Sequence, residues 1–220
     1  MITIFNNSKW LLHTAIFLSI KALIKYKIVL KVGATMKGFI VFAALFALAA
    51  AQSCPNIISR SQWGARPPTS ISYQNNPVPF VVIHHGASAS CSTQSSCTSM
   101  VQSYQNQHMD VNGWSDIGYS FIVGGDGNVY EGRSWDKVGA HAPGYNSQSI
   151  GICFIGTFTS ATPVNAALNA AQQLIACGVG QGYISGSYGL IGHRQAVSTD
   201  CPGDALYSEI QGWPNWTANP

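Results

Sequence analysis

Two short apolar runs in this chain each end on histidine, and they restrict the fold more than any other feature. Phe80-Val81-Val82-Ile83 leads into His84-His85, and Tyr188-Gly189-Leu190-Ile191-Gly192 leads into His193. Apolar runs this short, rich in β-branched residues and bounded by Pro or Gly, read as buried strands. Further strands are expected over 118–123, 129–131 and 150–155. Gly124-Gly125-Asp126-Gly127-Asn128 forms a hairpin turn between the first two. Helical spacing appears over 98–111, where Val101, Tyr104 and His108 recur on one face and Thr98 is the expected cap. A second helix is expected over 163–178, with a proline near its first turn and Leu168, Ala171, Leu174 and Ile175 inward. A short last helix should cover 204–211. Pro67-Pro68 and Pro77-Val78-Pro79 mark an irregular arm before the first strand, and no internal repeat is present. Strands mixed with two or three helices predict an α/β fold, one sheet covered by helices.

The first fifty residues are unlike the rest. From Met36 the sequence has a short basic start, an apolar core Phe39-Ile40-Val41-Phe42-Ala43-Ala44-Leu45-Phe46-Ala47-Leu48 and a small-residue end at Ala49-Ala50-Ala51. This is the pattern of a secretory signal peptide over 36–51. Its core is too short to span a bilayer, which needs about 20 residues. Residues 1–35 are an upstream extension with two readings. Translation starts at Met36, or the segment is a signal anchor. Its apolar patch is followed by Lys21, Lys25, Lys27 and Lys31, a poor anchor, which favours the first. Residues 52–220 are then the exported domain, expected to be monomeric and without stable membrane insertion. Six of the basic residues lie before residue 52 and all eight acids lie after it, so the domain carries five basic and eight acidic residues, a net charge of −3. A mildly acidic domain without a basic patch excludes nucleic acid as the expected partner.

All six cysteines lie in the exported part, where disulfides form. Cys91 and Cys97 bound a short polar loop, which favours a local bridge. Cys54 sits at the start of the domain and would fray unless tied down, with Cys177 on the second helix as the expected partner. Cys153 falls within a buried-strand pattern and reads as a free core thiol. Cys201 is left beside His193. Sequence alone does not fix this connectivity.

Strand ends and the loops after them carry His84, His85, Tyr119, His141, His193 and Cys201. Ligand sites of open α/β sheets gather at such edges. Spacing leaves three readings open: a zinc site, a thiol–imidazole nucleophile pair, or a histidine and a cysteine that only pack. The His193–Cys201 interval matches no zinc finger. A nucleophilic cysteine also needs an electropositive seat, which Cys201-Pro202-Gly203 does not evidently supply.

Six ordered blocks carry a resemblance. They are Val82-Ile83-His84-His85, Gln107-His108-Met109-Asp110, Gly113-Trp114-Ser115-Asp116-Ile117-Gly118-Tyr119, Gly127-Asn128-Val129-Tyr130-Glu131-Gly132-Arg133, Gly139-Ala140-His141, and Gly192-His193-Arg194 through Cys201-Pro202-Gly203. Together they resemble the peptidoglycan recognition proteins of animal innate immunity, a family related to the bacteriophage type 2 N-acetylmuramoyl-L-alanine amidases. The likeness runs from about residue 57 to 213. It implies a single domain with a mixed central β-sheet flanked by helices.

The resemblance also implies roles. The zinc ligands fall on His84, His193 and Cys201, the catalytic tyrosine on Tyr119, and a polar helper on Thr199. Groove positions that meet glycan and stem peptide fall on His85, His108, Gly113, Trp114, His141 and Asn146. Some relatives are pure receptors that have lost a ligand, commonly the cysteine. All three ligands are present here, so the likeness implies a secreted zinc amidase that cuts the bond between the muramic acid lactyl group and L-alanine. The alternative is a non-catalytic peptidoglycan receptor. Three protein ligands are the pattern of catalytic rather than structural zinc, and zinc lowers the pKa of water from 15.7 to about 7. Gly113-Trp114 goes in the family with diaminopimelate-type peptidoglycan, and Asn112 offers no cation for the lysine type. Bland readings stand beside some of these. His108 shares a helical face with core residues, Trp114 could be a packing residue, and His85 points away from His84 if the strand continues.

Overall fold

The computed structural model describes residues 54–220. The leader over 36–51 and the extension over 1–35 lie outside the described residues. The central sheet has six strands: β1 (Ile57–Ile58), β2 (Val78–His85), β3 (Phe121–Val123), β4 (Val129–Glu131), β5 (Ser149–Phe154) and β6 (Ile184–Gly192). Their order is β1-β4-β3-β5-β2-β6. Only β3 and β4 pair antiparallel; the other neighbours are parallel, so the sheet is mixed. The helices are α1 (Gln94–Asn106), α2 (Asn165–Gly180), α3 (His193–Ala196) and α4 (Asp204–Ile210).

The centre of the sheet follows from composition. All six residues of β5 are buried, as is β2 from Val81 onward, as expected of parallel strands covered on both faces. Side-chain alternation divides the core. Val81, Ile83, Ile150, Ile152 and Phe154 pack against Leu174, Ile175, Leu206 and Ile210 on the α2 and α4 face. Ile122 and Tyr130 meet Trp63 and Val101 on the α1 face. A third small cluster, Val82, Ala142 and Ile191, underlies the site described below.

Several element ends differ from those expected. Helix α1 starts at Gln94, capped by Thr93 rather than Thr98. Thr93 Oγ1 accepts from Ser96 N at 3.2 Å while Ser96 Oγ accepts from Thr93 N at 3.1 Å, a reciprocal capping box. The Ser/Thr-rich stretch offers several caps, and only this pair closes both bonds. The regular helix also ends early, at Asn106, and continues as a π-helical turn over Gln107–Val111. His108 lies in this turn and is half-buried, outside the hydrophobic core. Helix α2 begins two residues after Pro163, with Val164 as its cap. Strand β6 starts at Ile184 rather than Tyr188, and His193 opens a short helix rather than a loop. The two-residue β1 had no sequence signal.

Two disulfides fix the domain. Cys54–Cys177 ties its start to α2, and Cys91–Cys97 joins the loop before α1 to its first turn. Cys153 is buried and free, and Cys201 is free and half-buried. Among the described residues, no helix is long and apolar enough to cross a membrane.

Candidate active site

The site is built by register. Strands β2 and β6 lie side by side with Ile83 opposite Gly192, so the residues that follow, His84 and His193, emerge together at the carboxyl ends. Their ring centroids are 4.3 Å apart. The turn after α3 then brings Cys201 back, held by Arg194 N donating to Cys201 O at 2.9 Å. Cys201 Sγ lies 3.8 Å from His84 Nδ1 and accepts from the backbone N–H of His85 at 3.4 Å. One ligand atom from each of His84, His193 and Cys201 falls within 4.8 Å of the others. The donor set of two imidazoles and one sulfur suits zinc. His193 Nε2 is buried and has no hydrogen-bond partner within the protein, a cost an ion would remove. The residues present therefore fit the metal that the resemblance implies.

Burial sets the protonation of these three side chains. His84 and His193 are pushed down from the ordinary histidine value, chiefly by burial, so their rings stay neutral. Burial pushes the Cys201 thiol up to about 11, while the His85 N–H and Arg194 pull the other way. A cation at this point would reverse that balance, since a coordinating thiol is deprotonated.

Tyr119 stands beside this cluster, its ring 5.2 Å from that of His84. Burial, then the neighbouring Cys153 and Cys201 thiols, push its hydroxyl well above the usual range, so it remains a donor. The backbone that carries it is fixed by two groups that sequence reasoning left unassigned. Arg133 donates to Ile117 O at 2.8 Å and Val138 O at 2.9 Å. Asp116, nearly buried, pairs with Arg60 at 3.0 Å and accepts from Gln105 at 2.7 Å. Arg133 lay inside a recognised block, but nothing local distinguished a scaffold arginine from a ligand-binding one.

The other expected residues are distributed as follows. Thr199 Oγ1 accepts from Cys201 N at 3.3 Å, so it braces the ligand loop. Strand β2 continues through His85, which turns that ring to the opposite face. There its Nδ1 accepts from Phe158 N at 3.2 Å. His108 Nδ1 accepts from Gly118 N at 2.9 Å, and its ring stacks on Trp114 at 4.7 Å and meets the Tyr119 ring edge-on. Burial first and Arg133 second push His108 down to about 4. Trp114 is 37% exposed, so one side of the stack faces solvent. Gly113 has φ +70°, a conformation that favours glycine, and a side chain there would meet nothing within 4 Å. Asn146 Oδ1 accepts from both His141 N at 2.8 Å and Ala142 N at 2.9 Å, closing the loop before β5. The His141 ring is buried beneath His84, with Nδ1 3.0 Å from His84 Nε2.

Comparison with known proteins identifies the family. Residues 74–204 match the family described as N-acetylmuramoyl-L-alanine amidase. Peptidoglycan-recognition protein SC2 of Drosophila melanogaster is 47% identical over 182 residues, 83% of this chain and 98% of the relative. Peptidoglycan-recognition protein 1 of Holotrichia diomphalia is 46% identical over 167 residues, 76% of this chain and 85% of the relative. Among solved structures, wild-type Drosophila PGRP-LB superposes with a TM-score of 0.73 at 46% identity, covering 74% of this chain and 96% of that one. Peptidoglycan recognition protein-LE, solved in complex with tracheal cytotoxin, a monomeric diaminopimelic acid-type peptidoglycan, gives 0.72 at 46% identity over 73% and 95%. This chain belongs to the peptidoglycan-recognition proteins, within the N-acetylmuramoyl-L-alanine amidase family.

Proposed function

We propose that this chain is a secreted zinc-dependent N-acetylmuramoyl-L-alanine amidase. It binds peptidoglycan and hydrolyses the amide between the lactyl group and L-alanine. The observation that carries this reading is the convergence of His84, His193 and Cys201, with His193 Nε2 buried and unpartnered. Zinc, when bound, supplies Lewis acidity and activates water for attack at neutral pH.

The chain's own residues complete the chemistry. Tyr119, kept protonated by its surroundings, donates a hydrogen bond to the oxyanion that develops on the scissile carbonyl. Thr199 holds the Cys201 loop and presents a hydroxyl near the reacting groups. Trp114 and His108 form a stacked wall beside Tyr119 against which the substrate lies. Gly113-Trp114, with the neutral Asn112 before it, favours a stem peptide with diaminopimelate at its third position. Relatives solved with tracheal cytotoxin support that preference. Two disulfides support an extracellular setting.

The test is mass spectrometry of muropeptides of both stem types after incubation with residues 52–220, with and without chelator. Release of free stem peptide that stops on chelation is expected, faster from the diaminopimelate type. Binding without cleavage in the presence of zinc would leave a receptor instead.

A further inference from the structure

We infer that His141 is a positioning residue for the metal ligand His84, and that a directed hydrogen-bond chain running to a backbone carbonyl fixes which ring nitrogen of His84 is free. The inference rests on the zinc reading for its purpose but not for its geometry.

The chain has three links. His84 Nε2 lies 3.0 Å from His141 Nδ1. His141 Nε2 lies 3.5 Å from Ser149 Oγ, the longest link. Ser149 Oγ lies 2.8 Å from Tyr145 O. Its polarity is set at the far end. A carbonyl only accepts, so the single Ser149 hydroxyl proton is spent on Tyr145 O. Ser149 Oγ can then only accept from His141, which places a proton on His141 Nε2. His141 Nδ1 is therefore bare in the neutral ring and accepts from His84 Nε2–H. His84 is left with a bare Nδ1, the atom that faces the Cys201 sulfur at 3.8 Å. Metal-binding histidines commonly donate their other N–H to such a partner, which fixes both tautomer and ring orientation.

The fold makes a seat for this ring. A Cβ on Gly151 would stand 2.5 Å from His141 Cδ2, and one on Gly139 would also collide with that ring. Asn146 holds the backbone at His141. The ring is 6% exposed, and Ser149 is fully buried. Both nitrogens of His141 face inward, so its role in the site is exerted through His84.

The experiment has two arms. In the metal-free protein, long-range 1H–15N NMR of the imidazoles should find His84 as the Nε2–H tautomer, and His141→Phe should convert it to a mixture. In the second arm, zinc affinity is measured by competition with a chelating dye. It should fall roughly 10–100-fold in His141→Phe. It should fall less in Ser149→Ala. In His141→Asn, whose side-chain oxygen takes the place of Nδ1, it should return near wild type. Metal-free stability of each variant separates a general loss of structure from a loss of affinity. An Nδ1–H tautomer at His84 in the wild-type protein would overturn the inference, as would equal zinc affinity in His141→Phe and wild type. An Nε2–H tautomer with no zinc binding would uphold the chain of bonds and overturn the zinc reading.

Discussion

His84 Nδ1 and Cys201 Sγ sit 3.8 Å apart although 117 residues separate them in sequence. Parallel pairing of β2 with β6 closes most of that distance, and the turn after α3 closes the rest. The cysteine contributes little to the core, so its removal should act on the ion rather than on the fold. Cys201→Ser is expected to retain peptidoglycan binding while bound zinc and turnover are lost. Elemental analysis beside muropeptide mass spectrometry checks this, and sustained cleavage by a zinc-free variant would refute it.

Zinc should also stabilise the folded domain, because the ligand cluster exists only when β2 and β6 are paired. Free zinc at one hundred times its Kd is expected to add about 2.7 kcal/mol to unfolding. For a domain of this size that corresponds to about 2–4 °C in Tm per kcal/mol. Calorimetry with added zinc and then with excess chelator reads the effect. A Tm indifferent to both would exclude the cluster as a metal site.

Tyr119 is expected to contribute to turnover and not to ion binding. Tyr119→Phe should retain zinc and lower kcat by about 10²–10³-fold, the usual effect of losing one oxyanion donor. Steady-state kinetics with a zinc assay on the same sample decides it. A loss confined to KM would place the hydroxyl in binding instead.

Acid should weaken the metal-free domain. His108 titrates near 4 when folded and near its ordinary 6.5 when unfolded. Between those values the unfolded chain takes up a proton that the folded chain refuses. Stability is therefore complete above about pH 6.5, falls as pH drops toward 4, and levels off below. His84, His85 and His193 shift in the same direction, each chiefly through burial. Urea midpoints at pH 7.5 and pH 5 should differ, and His108→Phe should narrow the difference. Equal midpoints would contradict the assigned burial.

The Cys54–Cys177 bridge closes a span of 123 residues. Replacing both cysteines with alanine should cost about 2–5 kcal/mol, most of it through the unfolded chain. Cys177 packs on the α2 face, opposite Val82 and the ligand cluster, so turnover at 25 °C should survive. Chemical denaturation and the muropeptide assay together separate the two effects.

The sheet was legible because Val81-Val82-Ile83 and Ile150-Gly151-Ile152 are too apolar and too short for anything but buried strands. The ends were less so. β1 is two residues long, and the serine-rich stretch before α1 offers caps that only tertiary packing chooses among. The candidate ligand set came from likeness to a family; spacing alone left three readings open. The placement of His85 depended on where β2 stops, and the strand runs two residues further than the apolar run, through His85. Ser149 and Arg133 act on ring and backbone atoms that local pattern does not reveal.

The His85 N–H that reaches the Cys201 sulfur would meet a serine hydroxyl at the same place almost as well. Exchanging sulfur for oxygen there keeps that backbone donor paired. Catalysis and mere recognition are thus adjacent options for such a domain, and descent with a single altered codon can cross between them while the architecture is inherited intact.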